Sequence, residues 1–526
     1  AKLSPTARET MYQQKFHLYR NLTKPSERLY LSFAKAGASG EAQNPSYLIN
    51  EIRKLFPEIP VRDIEKKEQP EERLEMPRSG EALFLEELGK AAEGEIDPLF
   101  EELYRWYAAH PEAGIPAETY RKAAFLRCAD GVIGRSAASA LYGDTLKNSA
   151  TRLEKYAACA FAHFMEFGLQ IRERDQYELK AADMGTVMHE ALEKFSKKLQ
   201  ENGETWKTVT DDTRDHLIEE CVEETMADYG NTIFQSSSRN QYRVIRVKRI
   251  LKRTVWALQQ QIRQGEFEPG EFEVSFSMED SLAAINIELS EHEKMRLRGR
   301  IDRVDLCETD DKVYVKIIDY KTGNTSLDLV ALYYGLQLQL AVYLDAAVEL
   351  EQKKHPGKLV EPAGVFYYHI DDPILDQEED ETDEAWGRRM LKALRMDGLV
   401  NADRKVVELL DRVLEDGTTS DVIPVGKKKD GSYTSYSKVA SSEQFDVIRT
   451  YTRKKVREIG EGIFSGNVKI SPFQRDGATA CAYCEYQGIC GFDQKIQGYE
   501  YRKLKGMDTE LLMKAMQETA QRDQKE

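Results

Sequence analysis

Long apolar runs are missing from this chain. No stretch of its 526 residues approaches the ~20 apolar positions of a membrane-spanning helix. No signal peptide is present, which leads to the expectation of a cytoplasmic protein. The first residue is Ala, not Met, so a piece of something longer is expected. A G-x-x-x-x-G-K-[ST] phosphate loop is also absent, which excludes ATP hydrolysis by this chain alone. Net positive charge is lacking: the balance is −16. Nucleic-acid binding by bulk charge is therefore disfavoured, and any such contact must use local basic patches or a metal. Cysteines are few, seven in all. In a reducing compartment an odd number with some clustering points to metal ligation rather than disulfides. What is present suits a large folded protein: 41% hydrophobic residues, and a length that suggests about two to four domains.

The chain is organised around LRGRIDRVDLCETDDKVYVKIIDYKTGNTSLDLVALYYGLQLQLAVYL, residues 297–344. MRLRGRIDRVDLC reads as one strand and DKVYVKIIDYK as the next, with ETDD as the turn. Alternation puts Val313, Val315 and Ile317 on one face with Asp319 and Lys321. That face is apolar for three positions and then ends in a carboxylate and an ammonium. Asp302, on the partner strand, brings a second carboxylate. Two carboxylates form a hard oxygen site for Mg2+ or Mn2+. A lysine beside them can orient a water or stabilise charge on a phosphate oxygen. A lone D-x-K is usually a surface ion pair at a strand end. Here it follows Gly299-x-x-Asp302 and precedes Gln339-x-x-x-Tyr343, whose two residues share a helix face.

Further signals lie on either side. Asp183 reads as the cap of a helix carrying Gly185 and His189 one turn apart. NSATRLEKYAACAFAHFMEFGL reads as a helix capped by Ser149, with Cys159 inside it among aromatic residues. An acidic helix containing Cys221 spans 208–228. Residues 230–265 contain no acid and eight bases. Val244, Val247, Leu251, Val255 and Leu258 form that segment's apolar stripe, with Arg239, Arg243, Arg246, Arg249 and Arg253 on another side. This is the best candidate for a DNA-backbone track. EPAGVFYYHI is a further strand. Residues 415–442 read as a long loop ordered on binding. Near the end, Cys481-x2-Cys484-x5-Cys490 has metal-ligand spacing, and spacing alone does not separate zinc from iron–sulfur.

The ordered set GTVMH, GRIDRVD, IDYKTG and QLQLAVY resembles the RecB-like branch of the PD-(D/E)XK nucleases. With the cysteines, it resembles the carboxy-terminal half of AddB (RexB-like) subunits of AddAB-type helicase–nucleases. The resemblance implies an α/β fold: a restriction-endonuclease-like mixed sheet flanked by helices. It implies metal-dependent exonuclease activity on DNA. His189, Asp302, Asp319 and the carbonyl of Tyr320 would be the Mg2+ ligands, Lys321 the catalytic lysine, and Gln339 and Tyr343 the positioning pair. It implies a 4Fe–4S cluster on Cys159, Cys481, Cys484 and Cys490, leaving Cys128, Cys221 and Cys307 spare. It also implies an AddA-type partner and Chi-regulated processing of double-strand ends, with the 5′-ended strand degraded. The domains expected are a helicase-like remnant (1–60), a linker and helical segment (61–145), the nuclease domain (146–500) and a helical tail (501–526). In the remnant, KFHLYRNLTKPSERLYLSFA resembles the last motif of UvrD-like helicases, a helix followed by a short strand at 29–33. Thr23-Lys24-Pro25 stands where a Thr-Arg pair is expected, so the nucleotide-contacting arginine is missing. Two other function classes remain open: a stand-alone iron–sulfur exonuclease, and a DNA-binding structural subunit with a disused site.

Overall fold

The computed structural model describes residues 6–522 except 37–41, 62, 64–73, 75–76, 93, 95–97, 126–130, 175–176, 230–232, 277–281, 283–284, 291–292 and 377–380. Cys128 and most of residues 62–76 lie outside the described residues. The chain divides into two compact units, Ala1–Ala124 and Phe125–Glu526.

In the first unit, the helices Pro77–Ala92, Pro98–Ala109 and Ala117–Ala124 close on Leu83, Phe84, Leu88, Leu103 and Tyr107. The helix Ala7–Leu22 starts with a capping box at Thr6 and Glu9 and buries no residue. The strand expected at 29–33 is not formed, and Leu29, Tyr30, Leu31 and Phe33 are exposed. A strand needs a partner edge, and the described residues of this unit offer none.

The second unit is built on a six-stranded mixed sheet. Its strands, with those of one small sheet, are β1 (Thr145–Asn148), β2 (Glu268–Phe276), β3 (Asn286–Glu288), β4 (Lys294–Leu297), β5 (Gly299–Glu308), β6 (Lys312–Lys321), β7 (Leu359–His369), β8 (Asp397–Asn401) and β9 (Val439–Ala440). The main sheet has the order β2-β5-β6-β7-β8-β9. β5 and β6 form the expected antiparallel hairpin, with Arg303 opposite Ile318. The expected single strand through MRLRGRIDRVDLC is two: it breaks at Arg298, and β4 leaves to pair with β1 and β3. Gly299 marks the corner. A Cβ there would lie 2.4 Å from the Phe276 ring and 3.0 Å from that of Tyr343, so only glycine fits. The helix Gln339–Lys354 is the crossover that returns β6 to a parallel β7.

Alternation along β6 serves two cores. Val313, Val315 and Ile317 pack against the helices Gln339–Lys354 and Ser442–Phe464. Tyr314, Ile318 and Tyr320 pack against Ala181–Glu201, Asp211–Asp228 and Ser238–Gln264. Each fully buried Val, Leu or Ile there contributes roughly 1.5–3 kcal/mol. The second core also holds a charged cluster. Arg303 Nη2 donates to Asp305 Oδ2 at 2.8 Å and Lys316 Nζ lies 3.1 Å from the same oxygen. Burial alone would push the Asp305 carboxyl up, yet Arg303 and Lys316 outweigh it and hold it low. Asp305, three residues on from Asp302 along the strand, thus belongs to the opposite face. Segment 415–442 is packed rather than awaiting a ligand: Val422, Ile423 and Val425 are buried, and its end forms β9. Its apolar D-V-I-P-V run supplies the core contact that its glycines, serines and lysines obscure.

Candidate metal and nuclease site

β5 and β6 deliver the two carboxylates side by side. Asp302 Oδ2 accepts from the Tyr320 backbone N–H at 2.7 Å and lies 3.3 Å from His189 Nδ1. Asp319 ends the apolar face of β6, with Lys321 Nζ 2.5 Å from its Oδ2. Gln339, in the first turn of its helix, bridges the set. Its Nε2 donates to Asp319 Oδ1 at 2.8 Å and to the Tyr343 hydroxyl at 3.2 Å, and its Oε1 accepts from Lys321 Nζ at 2.9 Å. The Q-x-x-x-Y spacing thus holds the lysine and one carboxylate at once. His189 arrives on the helix Ala181–Glu201. Lys180, not Asp183 as expected, holds the N-cap position of that helix and makes no side-chain cap bond; Asp183 sits three residues in and accepts from the Lys180 backbone N–H at 2.7 Å. Gly185 lets the helix approach the strand end, since a Cβ there would lie 3.3 Å from Thr322 Oγ1. Tyr320 enters through its backbone, while its ring lies on the other face of β6, edge-on to His189.

Two residues of this site were not foreseen. Glu273 lies on β2 between the pairs Phe272–Arg303 and Val274–Ile301, so it faces Asp302 across the ladder. Ligand atoms of Glu273, His189 and Asp302 all fall within 4.8 Å of one another. Its φ is +51°, a conformation that L residues adopt at a cost and that clusters at functional sites. In the sequence it is one of three glutamates in EPGEFEVSF, with nothing in the spacing to mark it. Glu154 is the second. Its carboxylate accepts the backbone N–H groups of Leu338 and Gln339 at 2.6 and 3.0 Å, capping the Gln339 helix from outside.

The electrostatics suit a cation. Burial, then the Asp302 charge, raise the Asp319 carboxyl to about 6. Burial followed by Asp302 raises Glu273 to about 7, against the pull of Arg300. Burial raises Glu154 to about 7 despite its two N–H donors. His189 is raised as well: burial opposes its charge, but the Asp302 carboxylate outweighs burial. Carboxylates crowded with an imidazole, all oxygen and nitrogen donors, fit a hard divalent ion.

The cysteines meet elsewhere in the unit. The helix Ala150–Ala158, capped by Ser149 as expected, stops at Cys159, which is extended; a short helix, Ala160–His163, follows. Cys159 therefore sits at a break and not inside a helix. It packs with Cys484, Ala480 and Tyr486. Burial, with Cys159 and Cys490 close by, raises the thiols of Cys481 and Cys484. Cys221 and Cys307 are buried in the second core instead, where burial pushes the Cys221 thiol to about 11.

The basic helix Ser238–Gln264 packs on the same face of the sheet as the His189 helix. Arg243 Nη1 donates to Leu179 O at 3.4 Å, just before the His189 helix. Arg249 and Arg253 both pair with Asp372, three residues beyond β7, whose His369 is the ladder partner of Lys321. Arg239 and Arg246 are exposed. Two of the five arginines singled out in the sequence thus spend their charge on an acidic loop.

A model of the PD-(D/E)XK nuclease superfamily matches residues 147–491. The B subunit of an ATP-dependent helicase/deoxyribonuclease from Lachnoclostridium phytofermentans is 42% identical over 97% of this chain and 43% of its own length. Proteins of the same description from Alkaliphilus metalliredigens and Clostridium tetani are 34% and 32% identical, each over 99% of this chain and 45% of their own. The chain spans less than half the length of these relatives. No described helix is long and apolar enough to cross a membrane. The family match runs through the sheet, the carboxylates with Lys321, and all four clustered cysteines: the chain belongs to the PD-(D/E)XK nuclease superfamily.

Proposed function

We propose that this chain is the nuclease-bearing part of an AddB-type helicase–nuclease subunit and hydrolyses DNA phosphodiester bonds. The observation that carries the reading is the Asp302–Asp319–Lys321 cluster bridged by Gln339. His189, Asp302, Asp319 and the carbonyl of Tyr320, with Glu273 added by the geometry, would hold Mg2+ or Mn2+. Such an ion supplies Lewis acidity to a phosphate and acidifies a neighbouring water. The chain's residues do the rest. Asp319 and Gln339 fix the Lys321 ammonium where it can donate to a water or to charge developing on a phosphate oxygen. Tyr343 fixes Gln339. Arg239, Arg243 and Arg246 would bind the DNA backbone, with Arg249 and Arg253 anchoring the helix to the 370–376 loop.

Cys159, Cys481, Cys484 and Cys490 would hold a 4Fe–4S cluster. What supports a shared site is that Cys159 packs with Cys484 and that Cys159, Cys484 and Cys490 lie close enough to Cys481 to raise its thiol. Residues 1–60 would be a helicase-like remnant, 61–145 a linker and helical segment, 146–500 the nuclease domain and 501–526 a helical tail. An AddA-type subunit would provide the motor, the pair would process double-strand ends under Chi control in the cytoplasm, and this chain would cut the 5′-ended strand. The test is cleavage of end-labelled duplex DNA by anaerobically purified full-length protein with its partner, together with iron and sulfide analysis. Magnesium-dependent shortening of the 5′-ended strand, blocked by chelator, is expected; no cleavage with any divalent ion would favour a disused site.

A further inference from the structure

Away from the carboxylates, a cavity of about 640 Å3 opens between β3, β4 and the helices Ser442–Phe464 and Thr509–Arg522. Lys294, Arg296, Arg453, Lys454 and Arg457 line it, against one acid, Glu288. That balance is opposite to the chain's net −16. On the helix, Arg453, Lys454 and Arg457 fall at i, i+1 and i+4, a stripe along one side. Some of these charges are used internally. Arg453 reaches Asp345, Lys454 Nζ donates to Thr519 O at 2.8 Å, and Lys294 lies 3.5 Å from Glu288. The side chains of Arg296 and Arg457 are engaged by no hydrogen bond or ion pair among the described residues. Two unengaged guanidinium forks in one recess suit phosphate oxygens, which they can grip in pairs.

The position matters as much as the charge. β4 passes through Arg298 into β5, so Arg296 precedes Asp302 by six residues. An extended chain of that length spans at most about 22 Å, roughly six nucleotides at ~3.4 Å per step of one strand. We propose that this cavity binds the phosphodiester backbone of the strand being cut, within about six nucleotides of the scissile bond. The proposal rests on the nuclease reading above. It gives the strand a second hold, on a different element from the arginines of the Ser238–Gln264 helix.

The test uses the full-length protein and its partner subunit, with Arg296→Glu/Arg457→Glu and the milder Arg296→Ala/Arg457→Ala. The alanine pair serves if charge reversal lowers the melting temperature. Binding of a 20-nucleotide single strand is measured in EDTA across a salt series, and cleavage is followed on 20- and 4-nucleotide substrates. The salt slope should fall by about 1.4, from ~0.7 for each of two phosphates no longer neutralised. Cleavage of the long substrate should slow at least about tenfold, with the short one unaffected. An unchanged slope overturns the proposal; if the variants then also fail to hold the partner subunit, the recess is a protein interface. Inorganic phosphate at millimolar concentration displacing the 20-mer would make it a small-anion site and also overturn it. Asp319→Ala is the control: if that variant cuts normally the nuclease assignment itself fails, a result separable from all of these.

Discussion

Glu154 links two places that the sequence keeps apart. It lies five residues before Cys159, on the helix that stops there, and it caps the helix that carries Gln339. Glu154→Ala would leave two buried N–H groups without an acceptor, a cost of about 1–3 kcal/mol each, and would release Gln339 from Asp319 and Lys321. Cleavage should fall at least about tenfold with iron content retained, while Glu154→Gln, which keeps an acceptor oxygen, should recover most of it; equal rates for Ala and wild type would remove Glu154 from the account. The raised carboxyls yield a second expectation at this scale. Glu273, Glu154 and Asp319 sit above the ordinary carboxylate range, at about 7, 7 and 6. The folded state therefore binds more protons than the unfolded one between about pH 4.5 and 7, and stability falls as pH rises through that window. Without metal the protein should melt lower at pH 8 than at pH 5, and Mn2+ should raise the melting point more at pH 8. A metal effect that is larger at pH 5 would contradict this. Asp302, Asp319, Lys321, Gln339 and Tyr343 were legible because strand alternation and helical spacing carry them. Glu273 and Glu154 were not, since a ladder partner and a cap supplied from another helix leave no mark along the chain.

Among the elements, the β5–β6 hairpin and the Gln339 helix were readable from period and turn chemistry alone. The break at Arg298 was not. A run of alternating apolar residues does not say that its two halves join different sheets, and the crowding around Gly299 that forces the corner comes from β2 and the Gln339 helix. The basic helix shows the same limit: its apolar stripe was correct, but the pairing of Arg249 and Arg253 with Asp372 depends on where β7 ends. Charge reversal at Arg243 and Arg246 should weaken DNA binding and lower the salt slope, with the melting temperature within about 2 °C of wild type. Reversal at Arg253 should cost stability instead, because it places a carboxylate against the half-buried Asp372. If all three variants bind DNA like the parent, this helix is not part of the track.

At the scale of the whole molecule, the first and last parts of the nuclease unit meet at the cysteines. Tyr486 OH donates to Ile171 O at 2.9 Å, and Arg502 reaches the carbonyl of Ala157. A shared cluster between Cys159 and Cys481 would close a loop of about 320 residues, which in the chain-entropy model constrains the unfolded chain by several kcal/mol. Cys159→Ala and Cys481→Ala should each lose iron and lower the melting temperature, whereas Cys221→Ala and Cys307→Ala should keep the iron. Stoichiometric zinc without iron or sulfide in anaerobic protein would overturn the cluster, and full metal retention in Cys159→Ala would overturn the latch.

The most direct test of the account is the strand-end pair. Asp319→Ala and Lys321→Ala, made separately in the full-length protein with its partner, should leave folding and DNA binding nearly unchanged. Magnesium-dependent cleavage of end-labelled DNA should fall by at least about 10²–10³-fold, the scale set by losing one preorganised electrostatic group. Cleavage at the parental rate by either variant would contradict the assignment of this site.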